Sequence, residues 1–328
     1  MSYGAKVYEK VKSEYEQLKM TEIRKRNHRL AQIYKTIPQI SEIDDEISAM
    51  GNQMVQLILS EPNRAKEFTE MAKQKLAELK EARINLLVRY GYPKDYTDVH
   101  YSCPVCEDTG FVNGSECECF KKKLRIQAYK ESNLYELIKN QSFEKFNPFL
   151  FSEKTNKNGM TQRAVAKENL EFCKNYAKNF DNEERGLLLY GGAGLGKTFL
   201  STCIAKQVID SGKNVIYQSA VSMFSYYLDY IFGRTPPEQA RADFEKFKKC
   251  DLFIIDDLGA EATNPQMSAF LFELLNDRAL AGKKTIISTN YSLNEIASTY
   301  SERIHSRIMQ YFHLIHFEGD DLRQREYV

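Results

Sequence analysis

Neither sign of charge predominates in this 328-residue chain, in which 46 Lys+Arg stand against 45 Asp+Glu for a formal net charge of +1. So even a balance excludes a global electrostatic pull toward nucleic acid or membrane, and any DNA contact has to be local. A bilayer-length apolar run is missing too, and the segment from Met1 to Met20 is charged throughout. The expectation is therefore no membrane partner, no secretory leader and a cytoplasmic location. The seven cysteines do not suggest a disulfide framework in a reducing compartment, and four of them cluster closely enough to point to a metal. Cys173, Cys203 and Cys250 fall in expected helices or at a strand entrance and read as small buried apolar side chains.

What is present begins with Gly191-Gly192-Ala193-Gly194-Leu195-Gly196-Lys197-Thr198, directly after the apolar run from Gly186 to Tyr190. The pattern G-x-x-x-x-G-K-[ST] lets a backbone poor in side chains curl its N–H groups toward a polyphosphate, with the positive end of the next helix behind them. Lys197 would neutralise the β and γ phosphates, and Thr198 would offer its hydroxyl to Mg²⁺. Phe199 to Ile209 reads as the helix, so strand, loop and helix occur in the order that ATP/ADP binding needs.

Lys213 to Gln218 reads as a second strand and Asp251 to Gly259 as a third, which ends in two carboxylates. Ligands bind at the carboxyl edge of open α/β sheets, so Asp256 is expected to contact Mg²⁺ and Asp257 to polarise an attacking water. A fourth run, Thr285 to Thr289, delivers Asn290 to the same edge, where its amide could hold a γ phosphate or the lytic water.

Upstream, Ser2 to about Tyr90 is rich in Lys, Glu, Gln and Arg, with apolar residues at helical spacing: Tyr8, Val11, Tyr15, Leu18, then Ile43, Ile47, Met50, Met54 and Leu57. Two to four helices are expected, punctuated by Pro38, Gly51 and Pro62 and stopped by Gly91-Tyr92-Pro93. They could form a structural bundle, an oligomerisation coil or a docking arm. The cluster Arg24-Lys25-Arg26 with His28 and Arg29 is either a nucleic-acid contact or a solvated face. Cys103-x-x-Cys106 and Cys117-x-Cys119 flank a turn-rich interval containing Gly110 and Gly114. Two such pairs on the arms of a hairpin can hold a structural Zn²⁺, with His100 a possible substitute ligand; a redox pair is the competing chemistry.

Beyond the cysteines, Lys121-Lys122-Lys123-Leu124-Arg125 opens a further helix, and the aromatic linker Gln141 to Phe149 leads into the nucleotide-binding core. Phe143 and Phe146 could flank an adenine or simply anchor the linker. The aromatic helix Met223 to Arg234 could stack bases of single-stranded DNA, with Arg234, Arg241, Lys246, Lys248 and Lys249 near enough to neutralise phosphates; the competing reading is core packing.

The phosphate loop, IIDDLGAE from Ile254 to Glu261, STN from Ser288 to Asn290 and the ending SRIMQYFHLIHFEGDDLRQRE together resemble the DnaC/DnaI-type bacterial helicase loaders and their relatives, the IstB-type transposition ATPases. Both are AAA+ ATPases. The resemblance covers roughly residues 140 to 328, and the cysteine knuckle behind a helical region is similar to the loader arrangement. It implies an α/β AAA+ P-loop core with a five-stranded parallel sheet, and self-association that sets an arginine of one subunit against ATP in the next. Arg307 matches that arginine, with Arg303 a second candidate, and Arg323 would be a weak second sensor because the chain stops at Val328 without room for a helical lid.

The implied organisation is 1–95 helical and partner-binding, 96–122 the four-cysteine zinc knuckle, 123–158 linker and 159–328 the ATPase domain. The implied function is ATP-dependent loading of a replicative hexameric helicase onto single-stranded DNA. Asp257 stands where most AAA+ proteins have Glu, which suggests slow hydrolysis suited to a switch. Competing functions are a transposition helper ATPase, a small-molecule kinase on the same loop, and a nucleotide-gated scaffold with negligible hydrolysis.

Overall fold

The structure, a computed structural model, describes residues 4–60, 64–155 and 159–327, and the side chains within them except at 52, 54–59, 65–67, 239–243 and 325–327. It divides into two compact units, one of residues Lys12–Phe120 and one of Met1–Val11 with Lys121–Val328. No described helix is long and apolar enough to cross a membrane.

Three helices, α1 (Ala5–Thr36), α2 (Pro38–Ser60) and α3 (Ala65–Arg89), account for most of the first unit. Pro38 opens α2 at the position where its missing N–H costs nothing. Ile33, Ile37, Ile40 and Leu87 are fully buried at the packed ends of the three. Gly51, expected to punctuate, lies inside α2 with open space where a Cβ would be. A glycine there costs about 1 kcal/mol of helix propensity and is outweighed by the turns around it. Pro62 lies outside the described residues, as do the side chains of Met54 and Leu57. The stop after α3 is as expected: Gly91 has φ +82°, its N–H reaches Val88 O and that of Tyr92 reaches Leu87 O, a Schellman closure. Arg26 and Arg29, from the basic cluster, donate to the carbonyls of Thr97, Tyr96 and Asp98 and so hold the loop that follows.

A two-stranded hairpin, β1 (Phe111–Val112) and β2 (Ser115–Glu116), turns on Asn113 and Gly114, both at positive φ as a tight primed turn demands. Helices α4 (Glu118–Glu131) and α5 (Tyr135–Asn140) follow, then α6 (Gln162–Lys178).

The second unit is built on five parallel strands: β3 (Gly186–Gly191), β4 (Val215–Ser219), β5 (Leu252–Leu258), β6 (Lys284–Thr289) and β7 (Phe312–Phe317), in spatial order β4-β5-β6-β3-β7. Helices α7 (Lys197–Asp210), α8 (Ala220–Ile231), α9 (Pro237–Lys249), α10 (Pro265–Leu280), α11 (Leu293–Thr299) and α12 (Glu302–Tyr311) alternate with them. Leu187 to Leu189, Leu252 to Ile255 and Ile286 to Ile287 are buried on both faces, the pattern of central parallel strands. The edge strand β7 keeps His313 and His316 partly in solvent.

Arg278 on α10 is fully buried, and among the described residues it makes no ion pair with a carboxylate. Its guanidinium donates to the carbonyls of Phe247, Cys250 and Lys284 and to Thr285 Oγ1, clasping the end of α9 to the start of β6. Burial pushes its pKa down from the usual arginine range.

Candidate functional site

The carboxyl ends of β3, β5 and β6 open on one cleft of about 440 Å³. Ala193 to Phe199, Asp256, Asp257, Ser288 and Asn290 line it, together with Gln141 and Arg323. Of the expected loop residues Gly191 to Thr198, Ala193 to Thr198 therefore share a rim with Asp256, Asp257 and Asn290, while Gly191 and Gly192 turn their carbonyls to Lys197.

Backbone crowding explains the glycines. Gly191 has φ +135°, and a Cβ on it would lie 2.0 Å from the carbonyl oxygen of Phe317 on β7. Gly194 has φ +70°, and a Cβ there would run into the carboxylate of Asp321. The loop then enters α7, whose first turn presents unpaired N–H groups and the positive end of the helix dipole.

Lys197 is buried, and its Nζ donates to Gly191 O at 2.7 Å, Gly192 O at 2.5 Å and Asn290 Oδ1 at 2.8 Å. Burial lowers its pKa, against the opposing pull of Asp257 and Asp256. The amide of Asn290 passes the chain on: its Nδ2 donates to Asp257 Oδ1 at 3.0 Å. Asp256 is gripped by three hydroxyls. Thr198 Oγ1 donates to both carboxylate oxygens at 3.0 and 3.1 Å, Tyr217 OH donates to Oδ2 at 2.5 Å, and Ser288 Oγ donates to Oδ1. Burial, then the charge of Asp256, push the Tyr217 phenol well above its ordinary pKa, so it stays a donor.

Successive residues of a strand face opposite ways, so adjacent acids should not share a cleft. They do so here because the β5–β6 pairing shifts register between Ile255 and Leu258, and Asp257 adopts φ +57°. The bulge leaves Asp256 buried and Asp257 exposed at the mouth, with the Asp257 N–H donating to Ser288 Oγ at 2.8 Å.

Three contributors carried no sequence assignment. Gln141 brings to the wall of the cleft a buried side-chain oxygen that has no hydrogen-bond partner among the described residues. Tyr217 and Ser288 sit on strands; the signal for Tyr217 was polarity inside an otherwise apolar run, and Ser288 stood in the STN motif with no role given to it. Phe146 packs on Phe151 and Phe199, each with ring centroids 5.8 Å apart, and Phe143 is buried; neither lines the cleft, so both hold the linker down.

Arg307 does not join this cluster in its own chain. It lies on α12 beside Gln310, with its guanidinium over Phe272 and Tyr311, and Arg303 is exposed on the same helix. Arg323 reaches the cleft wall but is paired with Asp321. On α8, Tyr226 and Tyr230 are exposed, as is Phe232 just after it, while Tyr227 stacks on Phe270 in the core. Of the nearby cations, Arg234 pairs with Asp229, Lys248 with Glu273 and Asp277, and Lys249 with Glu245; the Arg241 side chain lies outside the described residues.

In the other unit, the sulfur atoms of Cys103, Cys106, Cys117 and Cys119 all lie within 4.8 Å of one another. Cys103 and Cys117 are 3.9 Å apart and Cys106 and Cys119 3.4 Å, all four as free thiols. Four thiolates about 2.3 Å from a tetrahedral zinc stand about 3.8 Å apart, so the donor set fits that ion. Asp108 fixes the first pair by accepting from the N–H groups of Ser102 and Cys103. Backbone N–H groups of Cys106 and Val105 bring Cys103 down to about 7, whereas burial pushes Cys119 up to about 12. His100 is not in the cluster and lies 3.8 Å from Asp95.

Comparison with known proteins gives this chain its family. The Chromosomal replication initiator protein DnaA of Wolinella succinogenes is 31% identical over 137 residues, covering 42% of this chain and 30% of that protein. The DnaA of Roseiflexus castenholzii is 35% identical over 123 residues, covering 37% of this chain and 25% of its own length. The chain thus spans less than a third of these curated relatives. Among solved structures, the DnaC helicase loader overlays 56% of this chain and 99% of its own at 20% identity with a TM-score of 0.46. DnaI overlays 57% and 93% at 21% identity with a TM-score of 0.44. The sequence pattern of the IstB-like ATP binding protein family matches residues 129–327. That segment is more than half of the chain and holds all five parallel strands and the cleft, and so the chain belongs to the IstB-like ATP-binding protein family and has its AAA+ P-loop fold.

Proposed function

We propose that this chain loads a hexameric replicative DNA helicase onto single-stranded DNA, switching between ATP and ADP states. The observation that carries the switch is the Lys197–Asn290–Asp257 hydrogen-bond chain, which ties the phosphate loop to the acid at the cleft mouth. On this reading the Lys197 ammonium exchanges its carbonyl partners for β and γ phosphate oxygens, and the Asn290 amide orients the lytic water. Asp257 accepts that water's proton as its oxygen attacks the γ phosphorus, and ADP and inorganic phosphate leave. The shorter reach of Asp compared with Glu makes hydrolysis slow, which suits a protein whose two nucleotide states favour different partners.

Hard oxygen donors suit Mg²⁺, and the Thr198 hydroxyl, donating its proton to Asp256, keeps its lone pairs for a cation. Thr198 and Asp256 would hold that ion, which when bound neutralises phosphate charge. The orphaned Gln141 oxygen offers an acceptor to the nucleotide. Arg307, outside its own cleft, completes the site of a neighbouring subunit, so self-association is part of the function. Cys103, Cys106, Cys117 and Cys119 hold a structural Zn²⁺, and the helices beside them grip the helicase. The exposed Tyr226, Tyr230 and Phe232 meet single-stranded DNA.

The loader reading is supported by the ordered motifs that resemble the helicase loaders, while the relatives named as replication initiators support the coarser role in DNA replication. The family's own description favours a second reading, an IstB-type helper of transposition. Capture of binding proteins from native lysate by the full chain with ATP or ADP separates them. Retention of a hexameric helicase with ATP and its transfer to single-stranded DNA is expected; retention of a transposase on duplex DNA would overturn the loader reading.

A further inference from the structure

β4 is an edge strand of the parallel sheet, and Tyr217 sits in its middle. Its backbone is pinned from outside: the Tyr217 N–H donates to Ser132 O at 3.0 Å, and Asn133 Nδ2 donates to Tyr217 O at 3.3 Å. Ser132 and Asn133 form the junction between α4 and α5, with Ser132 itself fully buried and its hydroxyl turned back onto Tyr129 O at 2.8 Å. The side chain leaves the strand and closes on Asp256 Oδ2 at 2.5 Å, so that it backs a carboxylate of the cleft wall. One residue thus joins the segment ahead of the core to the carboxylate at the end of β5.

We propose that Tyr217 is a positioning residue that sets the Asp256 carboxylate for the divalent cation, and that the α4–α5 junction fixes it in that task. The inference rests on the cleft being a nucleotide and Mg²⁺ site. The chemistry favours it. A carboxylate held at one oxygen by Ser288, at the other by Tyr217 and at both by Thr198 has one orientation and does not have to be ordered when the cation arrives. A phenol is suited to the position because it reaches across from the neighbouring strand and cannot compete as an anion. Hydroxyl bonds to a charged acceptor are the stronger kind, so removing this one is felt at the cation and not at the phosphate cradle.

The test is binding of a fluorescent ATP analogue to the full chain, with EDTA and across a Mg²⁺ titration, for wild type, Tyr217→Phe, Asp256→Asn and the double variant. Tyr217→Phe should raise the half-saturating Mg²⁺ about tenfold, or about 1.4 kcal/mol. It should leave affinity in EDTA unchanged, and it should add nothing in the Asp256→Asn background because it acts through that carboxylate. An unshifted Mg²⁺ midpoint, an equal shift in the Asp256→Asn background, or an equal loss of binding in EDTA overturns the proposal. Failure of the wild type to bind the analogue at all would instead overturn the reading of the cleft.

Discussion

At the residue scale, two side chains one position apart sit in separate environments because the backbone between them leaves strand geometry. Asp256 lies among three hydroxyls, while Asp257 at φ +57° reaches the Asn290 amide at the mouth of the cleft. Asp257→Asn should therefore keep nucleotide affinity within about twofold while hydrolysis falls about 10²- to 10⁴-fold, as for loss of a general base. Calorimetric binding beside single-turnover hydrolysis checks both halves. Arg278 makes the opposite point, since a fully buried cation here serves structure alone. Arg278→Met leaves the carbonyls of Cys250 and Lys284 without their donor, and each orphaned group costs about 1 to 3 kcal/mol. A loss of about 2 to 6 kcal/mol in unfolding free energy by urea denaturation, without a change in nucleotide affinity for the material still folded, is the expected result. Nothing in the sequence around Arg278 marked it, because a lone arginine at helical spacing reads as solvated until the strand beside it is known.

At the element scale, the phosphate loop depends on the strand that arrives last. A side chain at Gly191 would strike the backbone of Phe317, and the position also requires a left-handed φ. Gly191→Ala should destabilise the core by about 3 kcal/mol, the sum of backbone strain and forced separation of two strands. Chemical denaturation measures it, and a loss under about 0.5 kcal/mol would contradict the packing described. This scale is also where the sequence was most legible. The four strands β3 to β6 stand in their apolar runs, and the loop, the double acid and Asn290 meet on one rim as their order along the chain suggested. β7 was reached only through family resemblance, because His313 and His316 interrupt its apolar pattern at the sheet edge. Tyr217 and Ser288 were hidden for a different reason: what they do depends on which strand lies beside theirs, and register cannot be read from one strand. The bulge at Asp257 was equally hidden, since an Asp at positive φ carries no sequence mark.

At the scale of the whole molecule, two predictions concern assembly and metal. If Arg307 acts on a neighbour, Arg307→Ala should bind nucleotide normally yet hydrolyse it about 10³-fold more slowly. Mixing it with Asp257→Asn subunits should restore part of the rate, because some interfaces then pair an intact acid with an intact arginine; absence of any recovery would count against action in trans. Elemental analysis should find about one zinc per chain, lost in Cys106→Ser together with the fold of the β1–β2 hairpin, since structural zinc contributes on the order of 10 kcal/mol. The placement of β3 between β6 and β7 has a consequence for synthesis. A nascent chain that has emerged only as far as Asn290, just past β6, holds every phosphate-loop residue and both acids, but β3 is still a bare edge with no Phe317 backbone against Gly191. Such a chain would carry a half-built cradle and an unpaired strand open to any passing one. Of the five sheet strands, the last in chain order is thus the one that closes the backbone around the phosphate-loop motif.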